Sequence, residues 1–573
     1  MPKRVAITIA GAVSLGSYEA GVVFELLEAL RTHNEQADEA NLPDTKIYVD
    51  IVTGASAGGM TAAMLAQRLM FDGDSMGNSR QNCEFSNPLY YAWVERVDLK
   101  GLAKLQRGEG KLKWHSLLSS DLIEEIGREM LVSWLAGDRP LSGAHAVVER
   151  DGEGTAIPLD VGLALTNLNG VDYMLPIEGS DEGGFNYTRS VDQMLFSVEA
   201  TDRADTAKWQ QMTGAAVASG AFPAAFRSQG LEREPGDFGT RLPTPPAEPK
   251  AGETYVEWGT SGARQFAYCD GGVLQNQPLG IAKNFVDARV KAAAGRTDAY
   301  QIASDRLYVF VSPHAVKPQE QKGLKAEKLT IIEELIGVVR TYVRQAMFHD
   351  WITAEGMNSQ INVLDTRATQ LAKEIVAGNV DTSSLEAASA QLNKLLLAGQ
   401  PEATIRRLTM QYAQEYAEVL QAKGQAAADA FVGALATLEA AAELGLRDKM
   451  KIVAVMADDR TELAGSGISA FVGFFSRKFR EHDYWVGRVK TRKYLLRADV
   501  KRILGVTKWP MEDDWKANPL KNPTDIAKLP MPLWEALRPG LLWIGWIVWI
   551  RIWRWLAVIG AVVLALVLWR WHR

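Results

Sequence analysis

KIYVDIVTGASAGGMTAAMLAQ, residues Lys46 to Gln67, reads as a buried strand, a tight small-residue turn and an apolar helix in immediate succession. The strand is Lys46 to Thr53, a run too apolar to face water, and the helix that follows is rich in Ala, Leu and Met. Between them GASAG, Gly54 to Gly58, fits G-x-S-x-G, in which a serine sits on a strained strand-to-helix turn and its hydroxyl projects over the sheet edge. Glycines flank the serine because a side chain at either position would strike the neighbouring strand or helix. The same spacing recurs in GDSMG, Gly73 to Gly77, but Ser75 lies in the polar run DGDSMGNSRQN, with no strand before it and no helix after it. Context therefore selects Ser56.

Working outward, RVAITIA (Arg4 to Ala10) is another buried-strand candidate, followed by the turn GAVSLG and a helix from about Ser17 to Leu30 with Tyr18, Val22, Leu26, Leu27 and Leu30 on one face. Strand, tight turn and helix thus occur twice near the N-terminus, the pattern of a parallel sheet wrapped by helices. Further strands are expected at Ile157 to Ala164, Arg264 to Cys269, Arg306 to Val311 and Lys449 to Met456. Residues 72–86 and 230–262 read as loops, and 321–448, rich in Ala and Leu, as a helical insertion into the α/β unit.

A serine hydroxyl needs a base for its proton and donors for the tetrahedral oxyanion. The turn Gly11 to Gly16 offers backbone N–H groups and a helix N-terminus; Gly11, Ala12 and Gly16 are the candidate oxyanion residues. The candidate base is Asp270 in CDGGVLQNQPL, at a strand end, with Gly271 and Gly272 allowing close backbone approach. Partial burial would raise its pKa enough for base work on a hydroxyl. The plain alternative is a turn-forming Asp-Gly pair.

Four blocks in order, GAVSLGSYEAGVV (Gly11 to Val23), GASAGG (Gly54 to Gly59), ASGAFPAAF (Ala218 to Phe226) and DGGVLQNQP (Asp270 to Pro278), resemble the patatin-like phospholipase family. The resemblance covers roughly residues 4–315, and FFSRKFREHDYWVGRV (Phe474 to Val489) is similar to a late segment of large bacterial members. It implies a three-layer α/β/α sandwich with a mostly parallel sheet, a Ser56–Asp270 dyad, no metal or other cofactor, and hydrolysis of acyl esters of phospholipids or related lipids through an acyl-enzyme. A thioesterase or acyltransferase is the nearest alternative on the same fold.

One departure stands out. Where the family's oxyanion loop usually carries G-G-G-x-K/R-G, this chain has Ala12, Val13 and Leu15. Valine suits positive φ poorly, and the missing cation removes a positive charge near the oxyanion. A catalytically impaired membrane scaffold on this fold is the reading that follows from taking that departure at full weight. A rival mechanism also exists: Ser56, Asp270 and His314 stand in the chain order of α/β-hydrolase triads. The resemblance implies a dyad without histidine, which leaves His314 as a strand-end loop residue. His482 and Asp483 read as structural hydrogen-bonding groups.

Composition is that of a folded globular protein: 47% hydrophobic, 23% charged and a net charge of -6, with no arginine-rich groove, so nucleic acid is not an expected partner. Two cysteines, Cys83 and Cys269, make no disulfide framework and point to a reducing compartment. Lys3 and Arg4 before a short apolar run mimic a signal peptide, but the run continues into a helix pattern and no cleavage site follows. The far end differs. LLWIGWIVWIRIWRWLAVIGAVVLALVLWRWHR (Leu541 to Arg573) holds seven of the seventeen tryptophans. Residues 552–571 are long enough, at about 30 Å as a helix, to span a bilayer once, with Trp pairs at both interfaces and residues 541–551 as a helix in the headgroup layer. The expected organisation is a catalytic domain over 1–320, the helical insertion, a return to the core over 449–510, a linker over 511–540 and the anchor. The catalytic domain is expected on the cytoplasmic face, acting on bilayer lipid; no protein partner for the insertion is legible.

Overall fold

The computed structural model describes most of the chain from Pro2 to Leu520. Residues 77–86, 110–114, 177–183, 239–254, 258–261, 294–305, most of 316–348, most of 382–408, 442–449, 467–469, nearly all of 521–573 and some single positions fall outside the description. The described strands are β1 (Lys3–Ile9), β2 (Ile47–Gly54), β3 (Leu159–Pro176), β4 (Gly184–Val198), β5 (Gln229–Arg233), β6 (Tyr255–Glu257), β7 (Arg264–Asp270), β8 (Arg306–Ala315) and β9 (Ile452–Ala457). They form one sheet in the order β5-β7-β3-β2-β1-β8-β9, with β4 and β6 also paired to β3. Neighbours from β3 to β9 along this order are parallel, whereas β4, β6 and β7 lie antiparallel to β3, and β5 antiparallel to β7.

The helices that matter for the site are α1 (Gly16–Glu39), α2 (Ala57–Phe71), α3 (Thr206–Ser219), α4 (Leu279–Ala292), α5 (His349–Ala377), α6 (Ala417–Lys423), α7 (Gln425–Ala441) and α8 (Arg477–Leu495). Side-chain alternation along the central strands makes the sheet two-faced. Val5, Ile7 and Ile9 of β1 and Leu307, Val309 and Val311 of β8 enter a core shared with α1, α2, α3 and α8. Their neighbours Ala6, Ala10, Tyr308 and Phe310 face α4 and the start of α5. The mixed α/β sheet is therefore covered on both faces, as a mainly parallel sheet must be. Residues of α5, α6 and α7, between β8 and β9, also bury a separate cluster around Ile375, Tyr416, Val419 and Phe431.

Three expectations need correcting. The strand expected at 157–164 continues to Pro176 across a bulge, where Thr166 and Val171 are successive partners of β4 and Gly170 has φ of 72°. The Asn169-Gly170 pair looks like a turn in sequence, and β4, which pairs with the extension, was not anticipated. Part of 230–262 is not loop, since β5 reaches Arg233 and β6 lies within the stretch. The linker expected at 511–540 begins with a helix, Glu512–Ala517.

Helix α8 packs along α1 with almost no clearance. A Cβ on Gly21 would stand 1.9 Å from the Tyr484 carbonyl oxygen, and one on Gly487 2.2 Å from that of Tyr18. Arg488 and Arg492 close the same interface by pairing with buried Glu25. Among the described residues no helix is long and apolar enough to cross a membrane. The span expected at 552–571 lies outside those residues apart from Trp553, and of 541–551 only Leu542, Gly545 and Trp549 are described, all helical.

Candidate active site

Two strand ends meet on one edge of β3. Strand β2 ends at Gly54, beside Leu163, and antiparallel β7 ends at Asp270, beside Leu165. Because β4 occupies the other edge opposite both leucines, β2 and β7 share the remaining edge and point at each other. Ser56 and Asp270 are thereby delivered to the same gap. Ser56 Oγ donates to Asp270 Oδ2 at 2.5 Å, and both residues are buried.

Ser56 adopts φ 55° and ψ -128° directly before α2, the strained turn expected of an exposed-hydroxyl elbow. Packing enforces it. A Cβ on Gly54 would lie 2.1 Å from the Gly58 carbonyl oxygen, and one on Gly58 2.4 Å from that of Ile9. A residue not singled out from sequence completes the support: the Ser56 amide donates to Ser219 Oγ at 2.9 Å, and that hydroxyl donates to the Ala164 carbonyl at 2.8 Å. Ser219 lies in the ASGAFPAAF block, where a lone polar group among small apolar residues was the available signal.

The second carboxylate oxygen of Asp270 accepts from the Gly272 amide at 2.6 Å, and Gly271 has no room for a side chain against the Ala164 carbonyl. Burial raises the Asp270 carboxyl to about 7, against the pull of the Ser56 and Gly272 hydrogen bonds. A carboxyl titrating there is suited to take and return a proton near neutrality. The same shift bears on stability. The native state keeps a proton that the unfolded chain releases near its ordinary value, so Asp270 contributes most below about pH 4 and that contribution is lost as pH rises through about 7. Asp270→Asn removes this penalty. Its melting temperature is expected to exceed that of the parent protein by an amount that grows from pH 4 to 7 and then levels, reflecting on the order of a few kcal/mol. Parallel melting curves across that range would contradict it.

The turn Gly11 to Gly16 lies beside Ser56, with the vacant Cβ position of Gly11 3.0 Å from Ser56 Cβ. The three oxyanion candidates are not equivalent. The Gly11 amide is occupied by the Asn276 carbonyl at 3.1 Å, and Gly16 opens α1 with the Trp93 ring packed on its Cα. The Ala12 and Val13 amides, in contrast, are paired with no carbonyl outside the regular elements among the described residues. Val13 has φ of 53°, so the left-handed bend is kept despite a β-branched residue.

The remaining candidates fall elsewhere. Ser75 Oγ donates to the Asp72 carbonyl at 2.7 Å within a short 3₁₀ turn. His314 Nδ1 is paired with Ser312 Oγ at 2.9 Å, and the direct contact between Ser56 and Asp270 leaves no gap for an imidazole. His482 bonds the Glu462 carbonyl and Asp483 accepts from the Ala464 and Gly465 amides, the structural roles expected. Among the described residues no group of three or more His, Cys, Asp or Glu side chains could hold a metal ion.

A family model described as patatin-like phospholipase matches residues 7–283. An uncharacterized protein of Sinorhizobium fredii, y4iI, is 24% identical over 371 residues, covering 55% of this chain and 50% of its own length. The chain thus spans about half the length of that curated relative.

Proposed function

We propose that the protein is a serine acyl hydrolase of membrane lipids, of the phospholipase A type, a reading supported by the match of residues 7–283 to a patatin-like phospholipase model. The observation that carries the reading is the 2.5 Å hydrogen bond from Ser56 to Asp270 on a strained elbow. In the reaction, Ser56 Oγ attacks the acyl carbonyl as its proton passes to Asp270. The oxyanion is stabilised by the turn amides of Ala12 and Val13 and by the N-terminus of α2. Protonated Asp270 then protonates the leaving alcohol, and the acyl-enzyme is hydrolysed by a water that Asp270 deprotonates in turn. A thioesterase or acyltransferase would share the acyl-enzyme and differ in the group that leaves or accepts. The left-handed conformation at Val13 favours an active enzyme over an impaired scaffold, since the bend survives the substitution that made it doubtful.

The lipid substrate and the apolar tail belong together in this reading. Residues 552–571 tether the catalytic domain to the cytoplasmic face of a bilayer, which raises the effective concentration of an insoluble ester. Support comes from the length of the apolar run and its flanking tryptophans. Truncation after Pro539 is expected to move the protein to the soluble fraction and preserve hydrolysis of a short-chain soluble ester. Fatty-acid release from phospholipid vesicles should fall by roughly tenfold or more, the scale of a lost tether. A truncated protein that still pellets with membranes refutes the anchor, and an intact protein that releases no fatty acid from any phospholipid or soluble ester refutes the enzyme.

A further inference from the structure

The bend at Val13 needs a physical cause. A β-branched residue at φ 53° is strained and persists only where its surroundings over-determine it. The adjacent residue, Ser14, is fully buried and reaches far along the chain. Its Oγ donates to the Ala470 carbonyl and accepts from the Gly473 amide at 3.1 Å. A Cβ on Gly473 would stand 2.5 Å from that hydroxyl, so the two backbones are in direct contact. Ala470 itself has φ of 68°, and the two strained residues are therefore coupled through one serine.

What holds Ala470 and the turn Val472–Phe475 in place is helix α8. Arg480 and Asp483 lie one turn apart on it, both buried, and both are spent on backbone groups. Arg480 Nη1 donates to the Gly473 carbonyl at 2.9 Å, while its Nε and Nη2 donate to the Val94 carbonyl at 3.1 and 2.9 Å. Asp483 accepts from the amides of Ala464 and Gly465 at 2.7 and 2.9 Å. Gly465 in turn faces Leu15, whose Cδ2 would be 2.9 Å from a Cβ there. A cation and an anion on one helix face thus fasten two short stretches, Ala464–Ser466 and Val472–Phe475, against successive residues of the oxyanion turn. The anchoring residues Ala464, Gly465, Ala470, Gly473, Arg480 and Asp483 all lie beyond residues 7–283.

We propose that Ser14 is a positioning residue for ester hydrolysis: gripped by Ala470 and Gly473, which Arg480 and Asp483 secure from α8, it holds the Gly11 to Gly16 turn in the bend that sets the oxyanion donors. The proposal rests on the reading of Ser56 and Asp270 as an ester-cleaving dyad. Removing the Ser14 hydroxyl frees Val13 to relax, and donors displaced by a fraction of an ångström lose transition-state stabilisation while ground-state binding is little changed.

The test uses the full chain, a p-nitrophenyl short-chain ester and complete titration of active sites with a fluorophosphonate. In Ser14→Ala, kcat per titrated site is expected to fall by roughly tenfold or more with KM within about twofold. A merely structural role would lower the titre and leave kcat per site unchanged, and that result overturns the proposal. Should Ser14→Ala not fold, Asp483→Asn, of nearly the same size, releases the Ala464–Ser466 stretch instead. Measured at pH 8, it is expected to lose roughly threefold or more in kcat per site by the same reasoning, and parent-level kcat per site in that variant also overturns the proposal. A parent protein inactive on every ester would sink the hydrolase reading itself, whereas an active parent with an equally active Ser14→Ala sinks only the positioning role.

Discussion

Ser56→Ala and Asp270→Asn each lower the rate of ester hydrolysis by about three decades or more, while Ser75→Ala and His314→Ala stay within about threefold of the parent protein. The asymmetry follows from geometry. The Ser56 hydroxyl and Asp270 carboxylate share one proton across 2.5 Å, so neither group works without the other. Ser75 spends its hydroxyl on the Asp72 carbonyl, and His314 is paired with Ser312. A steady-state assay on a short-chain soluble ester distinguishes the four variants. A loss of several decades in His314→Ala would move the mechanism to a triad.

A second large effect is structural. Gly487→Val is expected to destabilise the protein by more than about 3 kcal/mol, or to leave it insoluble, because overpacking a tight core forces backbone to move. The new Cβ would meet the Tyr18 carbonyl at 2.2 Å, a backbone atom that cannot swing aside, and the crossing is reciprocal through Gly21. Separating α8 from α1 would also loosen Arg488 and Arg492 from the buried Glu25 carboxylate, which costs far more to strand than to pair. Gly152→Ala is the control, since nothing lies within 4 Å of its Cβ position, and its effect should stay within about 0.5 kcal/mol. Urea unfolding of the full chain reads both. Equal midpoints for the two variants would show that the helices tolerate separation.

Ser56 and Asp270 were legible as candidates because each sits on a local pattern: an apolar strand ending in small residues for Ser56, a strand ending in Asp-Gly-Gly for Asp270. What brings them together was not. The meeting of β2 and β7 on one edge of β3 depends on β4 filling the other, and β4 is a polar, alternating strand preceded by a segment with an Asn-Gly pair that mimics a turn. Asn276 and the contacts of Ser14 were likewise silent, since they join residues separated by hundreds of positions with no shared periodicity, and Ser219 showed only as a lone polar group in an apolar block. Val13 is the instructive case. Its side chain argues correctly against positive φ as an intrinsic preference, yet the tertiary contacts of Ser14 impose that conformation. The strain is legible in the residue type, whereas the contacts that sustain it join distant parts of the chain.

Whether Ser56 is the activated nucleophile of an acyl hydrolase is decided by reacting the intact protein with a fluorophosphonate and mapping the modified peptide. One adduct is expected, on Ser56 in the peptide that carries GASAGG, and none in Asp270→Asn over the same period. A folded protein that remains unlabelled, or one labelled at a serine other than Ser56, would contradict it.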